Sequence, residues 1–348
     1  MHFHVARLSG TSAMNAESPP DRSVGLGPIS RVVAPSLSFS QHPGLVERLL
    51  AAYPDARCNT DGRLIHLSED ELIDYMRGYE AALVSLEWIT ERVLAELPDL
   101  RVVVKLGVGL DKIDPHALKK HGVRLGWKAG VNSLSVAELT LCTAIMALRD
   151  VLPRNLMMRA GKRPMQAMGR HLSGRVFGIH GCGHVGREVV RLLQPFGCEI
   201  IANDIEDRSA FYQRYGVRAV GTDELWERSE ILSIHLTVTK STYGLYGPKV
   251  LDRLRPDCIL INTARGQIVD ERAIKQRLKD GRLRAAAIDA FQREPNDDDE
   301  FLNLSNLIAT PHIGASSEEA RWTMGLAAIE GIRENFLVEP GVHPFDDR

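Results

Sequence analysis

The sequence contains no apolar run long enough to cross a bilayer as a helix, which argues against a helical membrane protein. Cysteine is scarce: Cys58, Cys142, Cys182, Cys198 and Cys258 are scattered, and no two form a CxxC pair. An odd, dispersed set suits neither a disulfide framework nor a zinc site, so no metal is expected and a reducing, cytoplasmic setting is. Charge of one sign is lacking too. The 43 basic and 45 acidic residues leave a net charge of −2, with no basic field for nucleic acid and none for a membrane surface. Residues 1–30 are rich in Ser, Pro and Gly. They hold neither an apolar signal core nor enough basic residues for a transit peptide, and are expected to be a flexible tail. No internal repeat is present, and the acidic run Asp297–Glu300 reads as a solvated loop.

What is present is an ordinary globular composition in a chain of 348 residues, long enough for two domains. The organising stretch runs from Arg175 to Gly186. It begins as an apolar strand, breaks at Gly181, Gly183 and Gly186, and resumes with helical spacing. At this spacing Gly181 allows the turn off the strand, Gly183 lets the backbone approach a pyrophosphate, and Gly186 lets the helix lie close to the sheet. The free N–H groups of that helix then face the phosphates. A second strand, Glu199–Asp204, ends in an acid 18 residues beyond Gly186, close to the spacing of a ribose-binding carboxylate. An acid there repels a 2′-phosphate, so the expected cofactor is NAD rather than NADP. Glu206 and Asp207 point the same way, and Arg208 the other.

Strands and helices alternate along the rest. Strands are expected at Arg31–Ala34, Ala81–Val84, Arg101–Val104, Val123–Gly126, Ile231–Leu236, Cys258–Asn262, Ala285–Asp289 and Leu307–Thr310. Helices are expected at Pro43–Ala52, Glu69–Met76, Thr90–Leu97, Asp114–His121 and Asp270–Asp280. The alternation indicates an α/β fold with mostly parallel sheets. Ser135-Val-Ala-Glu138 and Ser316-Ser-Glu-Glu319 each read as a capping box, the first opening a long buried helix and the second a last helix running towards Phe336.

Three strand ends after the glycine loop carry reactive residues: Arg265 within Asn262–Gly266, Glu294 after Asp289, and His312 within Thr310–Gly314. In a doubly wound sheet the carboxyl ends of strands line the ligand crevice. Arg grips a carboxylate in two-pronged fashion, His moves a proton near neutral pH, and Glu fixes the tautomer of an imidazole. Each residue also has a plain reading, as a surface ion-pair partner, a turn residue before proline, or a core histidine.

These motifs resemble the D-isomer-specific 2-hydroxyacid dehydrogenase family over about residues 31–337. The resemblance rests on Gly107-Val-Gly109-Leu-Asp111, Ser135–Glu138, the glycine loop, Thr263–Gly266, Asp289 with Glu294-Pro295, and Thr310–Gly314. It implies two doubly wound domains. In that layout a Rossmann NAD-binding domain at 131–312 would be inserted into a flavodoxin-like substrate domain made of 31–130 and 313–348, and the protein would be a homodimer built on the cofactor domain. It implies that Arg265 holds the substrate carboxylate and carbonyl, that His312 is the acid/base, and that Glu294 is its partner. Val108 and Gly109 would offer backbone N–H groups to the substrate. Cofactor contacts would come from Gly181, Gly183, His184, Val185, Gly186, Asp204, Thr237, Ala264 and Asp289. Thr237 stands where many members carry proline. The chain stops at Arg348, so a C-terminal regulatory domain with serine feedback is not expected.

The implied activity is NAD-dependent interconversion of a small 2-oxo acid and a D-2-hydroxy acid. Lys105, just before the Gly107 loop, makes 3-phosphoglycerate/3-phosphohydroxypyruvate one candidate pair. Glyoxylate or hydroxypyruvate reduction, formate or phosphite oxidation, and a non-enzymatic NAD-sensing corepressor are the alternatives on the same scaffold.

Overall fold

The computed structural model describes residues 27–60, 67–162 and 168–345; most of the expected tail and the last three residues lie outside this range. Strands β1 (Val32–Ala34), β2 (Arg57–Cys58), β3 (Ala81–Val84), β4 (Val102–Lys105) and β5 (Arg124–Gly126) belong to one sheet. Strands β6 (Val176–His180), β7 (Glu199–Asn203), β8 (Arg218–Ala219), β9 (Ile231–Ile234), β10 (Ile259–Asn262), β11 (Ala285–Ile288) and β12 (Leu307–Ala309) form the other. The last strand, β13 (Asn335–Phe336), returns to the first sheet and pairs antiparallel with β5. Every other pairing between these strands is parallel.

The sheet orders are β13-β5-β4-β3-β1-β2 and β12-β11-β10-β9-β6-β7-β8. The first is the flavodoxin-like order 2-1-3-4-5 with an added edge, and the second extends the Rossmann order 3-2-1-4-5-6. Both faces of each sheet are covered, which is why the strands are apolar runs rather than alternations. In the first sheet Val33, Ala82, Val84, Val103 and Leu125 fill one layer, while Val32, Ala34, Ala81, Leu83, Val102 and Val104 fill the other. The second sheet divides likewise, with Phe177, Ile179, Ile259 and Ile261 on one face and Leu232, Ile234, Leu260 and Ile288 on the other.

Helix ends depart from expectation where a side chain finds a better partner elsewhere. The long helix spans Ser133–Leu148 with Asn132 at its N-cap, so Ser135 lies inside the first turn and caps nothing. Its hydroxyl instead donates to the Gly314 carbonyl at 2.7 Å. The last helix, Glu318–Gly331, is capped by Ser317 and not Ser316, whose N–H is spent on the Ile313 carbonyl. That helix ends at Gly331, short of Phe336. There it crosses β5 so closely that a Cβ on Gly126 would strike the Gly331 carbonyl. The chain then forms β13, pinned by buried Arg124, whose Nε donates to Asn335 Oδ1 at 2.5 Å and whose Nη2 donates to the Asn335 carbonyl at 2.9 Å. The helix Val151–Arg159, which buries no residue, was not anticipated at all.

Candidate active site

The second sheet delivers its reactive side chains from consecutive strand ends. Buried Asn262 closes β10 and shapes the turn after it. Its Oδ1 accepts from the Ala264 N–H at 3.1 Å, and its Nδ2 donates to the Arg265 carbonyl at 3.0 Å. Arg265 is thereby aimed out of the sheet. Gly266 must follow, because a Cβ there would run into the backbone of Phe291 and Gln292 in the next loop.

Asp289 directly follows β11 and is also buried. Its Oδ1 accepts from the Thr310 hydroxyl at 2.6 Å and from the Ile313 N–H at 2.8 Å, and its Oδ2 accepts from the Gly314 N–H at 2.8 Å. Its carbonyl accepts from the His312 N–H at 2.9 Å. These bonds clamp the turn after β12 and hold His312 at φ 53°. A histidine in that left-handed region carries strain of about 1–3 kcal/mol that its surroundings must offset.

Glu294 accepts from the Phe291 N–H at 3.0 Å and sets both carboxylate oxygens 3.0 Å from His312 Nδ1. A carboxylate only accepts, so Nδ1 carries the hydrogen and Nε2 is left as the atom that exchanges a proton. Both side chains are about half exposed, 48% for His312 and 42% for Glu294, so Nε2 can be reached.

Arg265 spans the space between the sheets. Its Nη1 donates to the Ala264 carbonyl at 2.9 Å, and its Nε and Nη2 donate to Asp111 Oδ2, on the loop after β4, at 3.2 and 3.1 Å. Gly109 lies beneath the guanidinium: a Cβ there would collide with Nη2. Gly107 turns the same loop at φ 101°, and the Val108 carbonyl accepts from Trp127 Nε1 at 3.1 Å, which fixes the orientation of the Val108–Gly109 segment. Lys105 is turned inward. Its ammonium donates to the Ser85 carbonyl at the end of β3, and burial pulls its pKa down to about 8 against the opposing pull of Glu87 and Asp111.

The other end of the crevice fits a dinucleotide. Gly181 sits at φ 90°, where a Cβ would press on the His235 carbonyl, and a Cβ on Gly186 would meet the Gly181 carbonyl. Gly183, by contrast, faces open space. The helix His184–Leu193 begins there with no side chain capping its first N–H groups. Val185 lies in its first turn, and Ala264 and Thr237 follow the neighbouring β10 and β9, Thr237 being exposed. Asp204 is nearly buried, with its oxygens taking the Cys182 N–H at 2.6 Å and the Glu206 N–H at 2.8 Å. Arg208 lies 3.7 Å from Asp204 and 2.6 Å from Glu206, so its one positive charge is met by two acids. Asp204, Glu206 and Asp207 leave this end negative, which disfavours a 2′-phosphate.

Asn262 and Asp111 stand in the sequence only as members of their motifs, without a role of their own, and Glu87 is not singled out there. Only Asn262 carried a local sign, an Asx residue at a strand end two residues before a turn N–H. Among the described residues no group of three or more His, Cys, Asp or Glu is placed to hold a metal ion, and no helix is long and apolar enough to cross a membrane.

Residues 141–314 match the family model described as D-isomer specific 2-hydroxyacid dehydrogenase, NAD binding domain. The chain is 32% identical over 271 residues to the D-3-phosphoglycerate dehydrogenase of Methanocaldococcus jannaschii, covering 77% of this chain but only 52% of that protein. It thus spans about half the length of that relative. It is 31% identical over 272 residues to the hydroxypyruvate reductase of Thermotoga maritima, covering 77% of this chain and 88% of that one. In fold it is similar to the TT0316 protein from Thermus thermophilus, with a TM-score of 0.80 at 24% identity over 90% of this chain and all of the other.

Proposed function

The chain belongs to the D-isomer-specific 2-hydroxyacid dehydrogenase family, and on that premise we propose that it interconverts a 2-oxo acid and a D-2-hydroxy acid with NAD in the crevice between the two sheets. The observation that carries this reading is the convergence of Arg265, reaching across to the Asp111 loop at 3.1 Å, with the His312–Glu294 pair held at 3.0 Å. Arg265 and the N–H groups of Val108 and Gly109 receive the substrate carboxylate, and Arg265 also polarises the C2 carbonyl. NADH on the glycine loop would supply the hydride to C2. As that bond forms, the carbonyl π electrons take a proton from His312 Nε2 and the oxygen becomes a hydroxyl; oxidation reverses both transfers. Glu294 keeps the imidazole in the orientation that presents Nε2. The substrate region is 31–130 with 313–348, and the cofactor region is 131–312.

The helix Val151–Arg159 exposes Val151, Leu156, Met157 and Met158, and Met168 is 89% exposed just beyond it. A second copy of this chain covers that surface in the proposed homodimer, and the setting is cytoplasmic.

The test is NADH oxidation with glyoxylate, pyruvate and hydroxypyruvate, repeated with NADPH. Turnover of at least one acid with higher kcat/KM for NADH is expected, and Asp204→Ala should narrow the gap between the dinucleotides. Absence of turnover with every 2-oxo acid, while NADH still binds, sinks the enzymatic reading.

A further inference from the structure

The family relatives divide between phosphorylated and unphosphorylated substrates, and the substrate end of this crevice carries charges that distinguish the two. β3 and β4 are parallel neighbours with Val84 opposite Lys105, so the loop Ser85–Trp88 stands beside the end of β4. Lys105 is the cation at that wall, and it is already committed, since its ammonium donates to the Ser85 carbonyl. Glu87 is folded back over the same turn, with Oε2 accepting from the Ser85 N–H at 2.5 Å. The charged groups that act on Lys105 are Glu87, Asp111, Lys112 and Arg265. Lys112 is itself directed away, donating to the Leu86 carbonyl at 2.9 Å and lying 5.5 Å from the centre of the Trp88 ring.

Three cations and two acids leave this cluster a single surplus positive charge. One substrate carboxylate neutralises it. A phosphorylated acid brings its carboxylate plus a phosphate of about −1.5 to −2, and would leave the site strongly negative beside two fixed carboxylates. The same loop presents Leu86 and Trp88 as large exposed side chains, 69% and 54% exposed, whose apolar faces suit a short uncharged substituent; the one donor they add is the uncharged Trp88 indole N–H, which does not offset the charge of a phosphate.

We propose that this crevice selects a singly charged 2-oxo acid with a short uncharged side chain and rejects its phosphorylated counterpart, with Glu87 as the specificity-determining residue and Lys105 as a neutralised part of the wall. This rests on the 2-hydroxyacid dehydrogenase reading of the site and names its substrate class.

The experiment uses a pair of acids that differ only in the phosphate. Turnover of hydroxypyruvate and 3-phosphohydroxypyruvate is compared by kcat/KM in the full chain, and binding of D-glycerate and 3-phospho-D-glycerate to the NAD-loaded protein is compared by calorimetry. The unphosphorylated member should be favoured in both by about 10–100-fold, the scale of uncompensated like-charge contact. Glu87→Gln keeps an oxygen for the Ser85 N–H while removing the charge, and should shrink that preference about tenfold, mostly through KM. Preference for the phosphorylated member, an unchanged ratio in Glu87→Gln, or binding of neither acid overturns the inference. Selective binding of glycerate without any turnover leaves the charge selection standing and removes the proposed reaction instead.

Discussion

At the end of β1 the chain enters the helix Leu37–Ser40 beneath the Ser36 hydroxyl, which accepts from the Phe39 N–H at 3.4 Å. At the end of β6 it enters the helix His184–Leu193 after Gly183, and no side chain meets the first N–H groups. Both places are switch points, where the strand order of a doubly wound sheet reverses and a crevice opens. In the first sheet the turn leaving β1 is closed by the chain's own polar side chains. Ser36, Ser40 and Asn59 are buried there, with Ser40 Oγ donating to the Ala34 carbonyl and Asn59 Nδ2 donating to the Pro35 carbonyl, each at 3.0 Å. In the second sheet glycines put no side chain at the corresponding turn. Topology therefore provides two equivalent crevices, and the side chains at the first turn determine which of them can take a dinucleotide. The first sheet contributes instead from further along, through the loop after β4, whose Asp111 meets Arg265.

The proposed proton transfer lies in the second region, and the largest effect is expected there. His312→Ala should lower kcat by about 10²–10⁴ while the affinity for NADH, held elsewhere on the sheet, stays unchanged. A loss of NADH binding equal to the loss of kcat would merge what the geometry separates.

Acid should distinguish the regions next. His180 closes β6 in a buried site, 2.6 Å from the Tyr246 hydroxyl, and burial pulls its pKa from 6.5 down to about 4. The unfolded chain therefore binds a proton that the fold refuses. The stability involved is fully present above pH 6.5 and lost as pH falls towards 4, about 3 kcal/mol in all. In the first region Glu80 is held down to about 2, chiefly by the Ser30 and Arg31 N–H groups, so its contribution persists above pH 4.5 and fades only below. Hydrogen exchange at pH 5 should thus loosen peptides from β6 and β9 before those from β3 and β4. The reverse order breaks the comparison.

The smallest effects test the switch points directly. Gly181→Ala places a Cβ 2.7 Å from the His235 carbonyl at φ 90°, and NADH affinity should fall by about tenfold or more as the loop shifts. Ser36→Ala should cost about 1 kcal/mol of stability through the lost cap, with NADH affinity untouched. Equal effects of the two substitutions on NADH binding, read by fluorescence titration, would show that the first turn is not merely closed.

Residue order along the chain was enough to mark most of the central strands, several of the helices and the family of the chemistry. Apolar runs marked the strands, since both faces of each sheet are buried, and Pro43–Ala52 and Glu69–Met76 form over the expected bounds because their periodicity and first-turn residues act locally. The Gly181, Gly183 and Gly186 spacing is local as well. Docking of the sheets decided which atoms meet. Ser135 and Ser316 look like caps over four residues, yet a carbonyl almost 180 positions away claims the first, and a neighbouring turn claims the N–H of the second. Arg265 meets Asp111 across 154 positions, and Lys105 meets Ser85 just past the end of the adjacent strand. Such pairs leave no periodic trace, because they depend on how two sheets and their loops come together. The strength of a charged contact is set by the burial and the partners that the fold creates, and Lys105, a candidate phosphate ligand by its place in the sequence, is turned inward onto the Ser85 carbonyl.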